Sequence, residues 1–162
     1  MHRMKAHPSQ DRLIFLGSLT AVSFVLHGLW EYVQCGPFFV HGSLAPTTAA
    51  MLLATLGDLA LTGIAYSGTA LLMRDAWWAV GRWYVKTWLS IEFFAALLAI
   101  ATELIGLGFG RWSYSAIAPR LPGTGLSIVP ILQLMTLLPV SFGFAAWISH
   151  AFAFNDSQRR RS

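Results

Sequence analysis

The stretch LIFLGSLTAVSFVLHGLWEYVQ, residues 13–34, decides the fold class. It is apolar over the ~20 residues that a helix needs to cross the hydrocarbon of a bilayer, yet it carries His27 and Glu31 near its end. Three further stretches share its length and character, at residues 47–73, 86–109 and 127–154. The expected fold is all-α, a polytopic transmembrane four-helix bundle forming one domain over residues 1–162. The punctuation between the stretches fits: Cys35-Gly36-Pro37 is expected to stop the first span, and Pro46 precedes the second. Pro119, Pro122, Gly123 and Gly125 fill the last loop.

Composition supports a lipid solvent. Hydrophobic residues make up 56% of the chain and charged residues 11%, against about 25% charged in an ordinary soluble domain. The formal charge of +4 does not point to nucleic acid, because the basic residues flank apolar runs and form no phosphate-binding stripe. With Cys35 as the sole cysteine, an intramolecular disulfide, a CxxC redox pair and a thiolate zinc cage are excluded. His2, Arg3, Lys5 and Arg12 precede the first run as they would in a signal peptide. Trp30, Glu31 and Tyr32 stand where small cleavage-site residues belong, so an uncleaved span is expected.

Basic residues give a direction. With four spans, Arg3, Lys5, Arg12, Arg74, Arg82, Lys86, Arg159, Arg160 and Arg161 fall on one side, and only Arg111 and Arg120 on the other. The positive-inside bias then places both termini in the cytoplasm (N-in, C-in), and the short loops fit a bacterial inner membrane. Trp77, Trp78, Trp83, Tyr84 and Trp88 accompany the cationic side as interfacial anchors, and Trp112 and Tyr114 mark the opposite interface.

Of seven acidic residues, Glu31, Asp58, Glu92 and Glu103 lie inside spans. Ionisable groups at such depth are costly, at roughly 2.5–3.5 kcal/mol on insertion scales, and face protein or water. At ~1.5 Å of rise per residue, His27 and Glu103 lie roughly 9 Å below the outer ends of their spans, and Gln133 reaches a similar depth. Glu31 stacks one turn from His27, Asp58 lies nearer the midplane, and Glu92 falls in another layer. Thr55, Asp58, Thr62, Tyr66 and Thr69 make a polar stripe on the second span. Ala96, Ala99, Gly106 and Gly110 share a small-residue face with Glu92 and Glu103, which suits close helix approach.

These residues support an acid–base reading: His27 oriented by Glu31, and Asp58 and Glu103 as carboxylic acids held by Thr62, Tyr66 or Gln133. Gln133, Tyr66, Arg111, Trp112 and Arg120 are the candidate substrate-binding residues, the last three as a lid over an anionic headgroup. The competing structural reading makes the same groups polar contacts between helices, with the arginines pairing Glu31 or Glu103. The expected ligand is a lipophilic molecule such as an isoprenoid, a quinone or a membrane lipid. The alternative is a non-enzymatic accessory subunit or assembly factor, packed against a membrane-protein partner or a second copy.

Proton passage along Glu103, Asp58 and Glu92 meets an apolar gap between the two carboxyls of the third span. A metal site from His27, Glu31, Asp58 and Glu103 lacks any ligand-spacing motif. His27 and His150 lie at opposite ends and cannot share one haem. Cys35 has no evident base apart from His41. The residues name no cofactor, and no Walker A, GxSxG or HExxH pattern is present.

Overall fold

The computed structural model describes residues 8–40 and 48–159, with the side chains of residues 8–11, 155–157 and 159 outside the description. Four helices dominate: α1 (Pro8–Phe38), α2 (Thr48–Met73), α3 (Val85–Gly108) and α4 (Val129–Arg159). All four are long and apolar enough to cross a membrane, and they mark the chain as a multi-pass membrane protein. Helices are the natural form for such segments, because each satisfies its own backbone hydrogen bonds without water. His41, Pro46 and Thr47 lie outside the described residues.

α1 packs against α4 and α2, and α3 packs against the same two, so α1 and α3 stand diagonally across a four-helix bundle. One stripe of α1 turns inward at every fourth position: Phe15, Leu19, Ser23, His27 and Glu31 are buried, followed by Gln34. This is the helical spacing that keeps one face toward a partner. The facing stripe of α4 buries Gln133, Leu134, Leu138, Ser141, Phe142 and Ala145. The outward faces carry exposed Leu, Ile, Val and Phe side chains along every span, a surface made for lipid.

The two ends of the bundle differ. At one end, Phe15, Tyr66, Trp78 and Phe142 form an aromatic core with ring centroids 5.2–5.9 Å apart. Trp78 belongs to a 3-10 turn (Trp78–Val80) that folds under the helices. Its indole donates to the Tyr66 carbonyl at 3.3 Å, and the Arg12 guanidinium lies 4.8 Å above the Trp77 ring. Of the aromatic residues expected as interfacial anchors, Tyr84 and Trp88 are exposed, whereas Trp77, Trp78 and Trp83 turn into the fold.

The other end is closed by a small ladder. Strand β1 (Phe39–Val40) pairs antiparallel with β2 (Ser113–Tyr114), Phe39 opposite Tyr114 and Val40 opposite Ser113. The expected stop at Cys35-Gly36-Pro37 is not where the first helix ends: α1 runs on through Phe38 with Pro37 inside it. Proline in a last turn forfeits only one N–H, and the free carbonyls beyond it are satisfied from the α3–α4 loop. Ser115 donates from Oγ to Pro37 at 2.6 Å and from its backbone N–H to Phe38 at 3.0 Å.

Candidate functional site

A cavity of about 390 Å³ lies at the ladder end, walled by all four helices and by the α3–α4 loop. One wall is polar, with Glu31, Gln34, Asp58, Glu103, Arg111 and Gln133; the other includes Phe39, Met51, Ala54, Leu61 and Pro130. It reaches the outer surface of the bundle at α2, where Leu53 and Gly57 are exposed on its rim.

The polar wall is one hydrogen-bonded network centred on Gln133. Its Nε2 lies 2.7 Å from Asp58 Oδ2, 3.2 Å from Glu31 Oε1 and 3.3 Å from His27 Nδ1. Its Oε1 accepts from Gln34 Nε2 at 2.9 Å. Gln34 uses its second N–H on Glu31 Oε1 at 2.5 Å and accepts at Oε1 from Trp30 Nε1 at 2.8 Å. The amides therefore point one way, from Trp30 through Gln34 and Gln133 to the carboxyls, and both donors of Gln34 are committed. Cys35 Sγ lies 3.7 Å from Glu31 Oε2.

His27 is fully buried in this network. Thr62 Oγ1 lies 2.9 Å from the Asp58 carbonyl and 3.2 Å from His27 Nε2. A hydroxyl has one proton, and the carbonyl takes it, so the imidazole donates from Nε2–H to Thr62. Nδ1 then turns its lone pair to Gln133, with Asp58 Oδ2 3.4 Å away. A proton taken up at Nδ1 would be held between imidazole and carboxylate. Of this pair Asp58 lines the cavity, and His27 lies behind it, fully buried.

Glu103 stands on the α3 side of the same cavity, buried, and accepts a hydrogen bond from the Tyr114 hydroxyl. The β1–β2 ladder fixes Tyr114 there, and the Phe39 ring leans on it at 5.7 Å. Burial first, and then the bond to Glu103, push the Tyr114 phenol up to about 12. Trp112 covers the cavity beside Glu103. A Cβ on Gly106 would lie 2.0 Å from its indole ring, so the absence of a side chain at Gly106 makes room for Trp112. Of the small face expected to bring helices together, Ala99 is buried in the helix core, Gly106 serves this loop, and Gly110 lies beyond α3 in a turn with φ of 63°.

The structure thus gathers His27, Glu31, Asp58 and Gln133 into direct contact and sets Glu103, Arg111 and Trp112 around the same cavity. It does not bring Tyr66 there: two turns beyond Asp58 on α2, its hydroxyl donates to the Ala76 carbonyl at 2.5 Å at the other end. Arg120 lies over the Tyr114 ring at 5.6 Å and does not line the cavity. Among the described residues neither arginine forms a salt bridge with Glu31 or Glu103; the recorded pair is His27–Asp58. Glu92 lies in a different layer, as the helix rise requires. The sequence does not single out Gln34 or Trp30 as site residues, although Gln34 follows Glu31 by three residues on the face that His27 begins. Among the described residues no three His, Cys, Asp or Glu side chains converge as metal ligands.

Comparison of the chain with models of protein families, with curated proteins and with solved structures finds no match.

Proposed function

We propose that the cavity binds the polar head of a lipophilic molecule, an isoprenoid, a quinone or a lipid, and that its acid–base groups act on that head. The observation that carries this reading is the convergence of Glu31, Asp58 and Glu103, from three helices, with the His27–Gln133 network on one cavity of about 390 Å³. A space of that size suits a small-molecule site with few convergent polar groups. The exposed rim at Leu53 and Gly57 gives an apolar tail a way out to the lipid.

In this reading His27 and Asp58 take up or return a proton, Glu31 and Gln34 hold Gln133 in register, and Glu103 with Tyr114 offers a second proton donor across the cavity. Arg111 and Trp112 close over the head. The basic residues at the aromatic end set both termini in the cytoplasm, so the cavity belongs to the outer half of a plasma membrane. Photo-crosslinking with a lipophilic probe tests the proposal: saturable labelling of the cavity lining at Met51, Leu53 and Leu61 supports it.

A further inference from the structure

Three hydroxyls inside the bundle break the pattern of the others. Thr20, Thr55, Thr62, Ser67, Ser90 and Thr136 each donate to the carbonyl four residues earlier, the usual outlet for a hydroxyl inside a helix. Ser23, Thr69 and Ser141 are fully buried and have no hydrogen-bond partner. Glu92 adds an enclosed Oε2 without one. Each helix therefore contributes one unpartnered buried oxygen.

Helix rise places these oxygens close to one level. Ser23 precedes Glu31 by eight residues and Ser141 follows Gln133 by eight, so both lie roughly 12 Å below the cavity network. Thr69 and Glu92 are each eleven residues from Asp58 and Glu103, or roughly 16 Å. Ala65 and Ala95 fall at nearly the height of the two serines, and both are buried. Buried polar groups lacking protein partners are met in native interiors by ordered water, each molecule making about three hydrogen bonds.

We propose that this layer holds water and forms a proton path through the bundle, joining Glu92 to the His27–Asp58 pair. Ser23 lies one turn from His27 on the same stripe, so the path meets the cavity network from below. The Glu92 carboxyl gives its proton to the hydroxyl–water chain, the imidazole–carboxylate pair takes one up, and Asp58 releases it through the cavity that it lines at the ladder end. Glu92 regains a proton from the aqueous phase at the aromatic end. Only O–H and N–H bonds are made and broken. The apolar gap between Glu92 and Glu103 along α3 is thus bridged by hydroxyls from the other three helices. The path stands independently of what the cavity binds.

Proteoliposomes of the full chain, with a trapped pH-sensitive dye and a potassium-diffusion potential, test it. Proton entry should be at least tenfold faster than in protein-free vesicles. Ser23→Val combined with Ser141→Val, and separately Glu92→Gln, should return entry to the vesicle baseline. Ser23→Thr with Ser141→Thr keeps both hydroxyls and should retain most of the flux. Entry at the protein-free rate in the wild type, or undiminished entry in the Val and Gln variants, overturns the proposal. Crosslinking at the cavity should be unchanged in these variants, which separates failure of the path from failure of the cavity reading.

Discussion

Gln133 donates from Nε2 to Asp58 Oδ2 at 2.7 Å, tying α4 to α2 at the wall of the cavity. The same amide nitrogen lies 3.2 Å from Glu31 Oε1, and its carbonyl accepts from Gln34, so one side chain serves three helices. Two carboxyls on different helices are thereby held side by side inside a membrane bundle, which needs donors between them.

Replacing Gln133 should loosen the whole wall. Gln133→Leu leaves Asp58 Oδ2 without its amide donor and should cost about 1–3 kcal/mol, more than the ~0.6 kcal/mol of an average polar contact between membrane helices. Gln133→Glu adds a third carboxyl and should be worse at neutral pH, recovering as acid protonates that group and gives it a donor. Unfolding of the detergent-solubilised protein across pH reads both; wild-type stability in either variant would show that the network carries no weight.

The loop that closes the cavity rests on a glycine. Gly106→Ala sets a methyl 2.0 Å from the Trp112 ring, so the indole must swing away, at about 1–3 kcal/mol for overpacking. The displaced indole should show as a shift in tryptophan emission. Gly108→Ala, with nothing within 4 Å of its Cβ, should be neutral or stabilising by up to ~1 kcal/mol. Equal effects at the two positions would contradict the packing described.

Tyr114 gives a pH signature. Its phenol is pushed from 10.0 to about 12, by burial first and then by the bond to Glu103. The folded value lies above the unfolded one, so the stabilisation is whole below pH 10 and is lost as pH rises toward about 12. Ultraviolet titration should find this phenol ionising late, near pH 12, and Tyr114→Phe should take one phenol out of the late component. A Tyr114 that ionises near pH 10 would mean that neither its burial nor its bond to Glu103 is held.

How much of this was legible in the sequence follows from the range of each interaction. The spans were, because lipid demands long apolar runs and the chain has four. Rise per residue sets His27, Glu103 and Gln133 at one depth with Glu31 above and Asp58 below; that Glu31 and Asp58 both reach Gln133 while Glu103 stands across the cavity is not legible from depth. Nor is the direction of a side chain. Tyr66 shares a polar stripe with Asp58 but sits roughly 12 Å along the helix, and its hydroxyl reaches the other end. The β1–β2 ladder joins residues from two loops through two-residue strands, too short for any periodicity to announce. Pro37 misled as a stop because its cost is small in a last turn whose carbonyls Ser115 satisfies.

Whether the cavity takes up a lipophilic molecule by its polar head can be read by photolabelling. An isoprenoid alcohol carrying a diazirine on its tail, added to the full-length protein in lipid nanodiscs, tests it most directly, with the labelled residues located by peptide mass spectrometry. Saturable labelling is expected at Met51, Leu53 and Leu61, displaced by untagged isoprenoid alcohol, quinone or lipid according to which headgroup fits. That labelling should fall about tenfold, some 1.4 kcal/mol in binding, in Asp58→Ala or Glu31→Ala. Labelling that spreads over the outward faces of all four helices in proportion to exposure, and is the same in both variants, would contradict it.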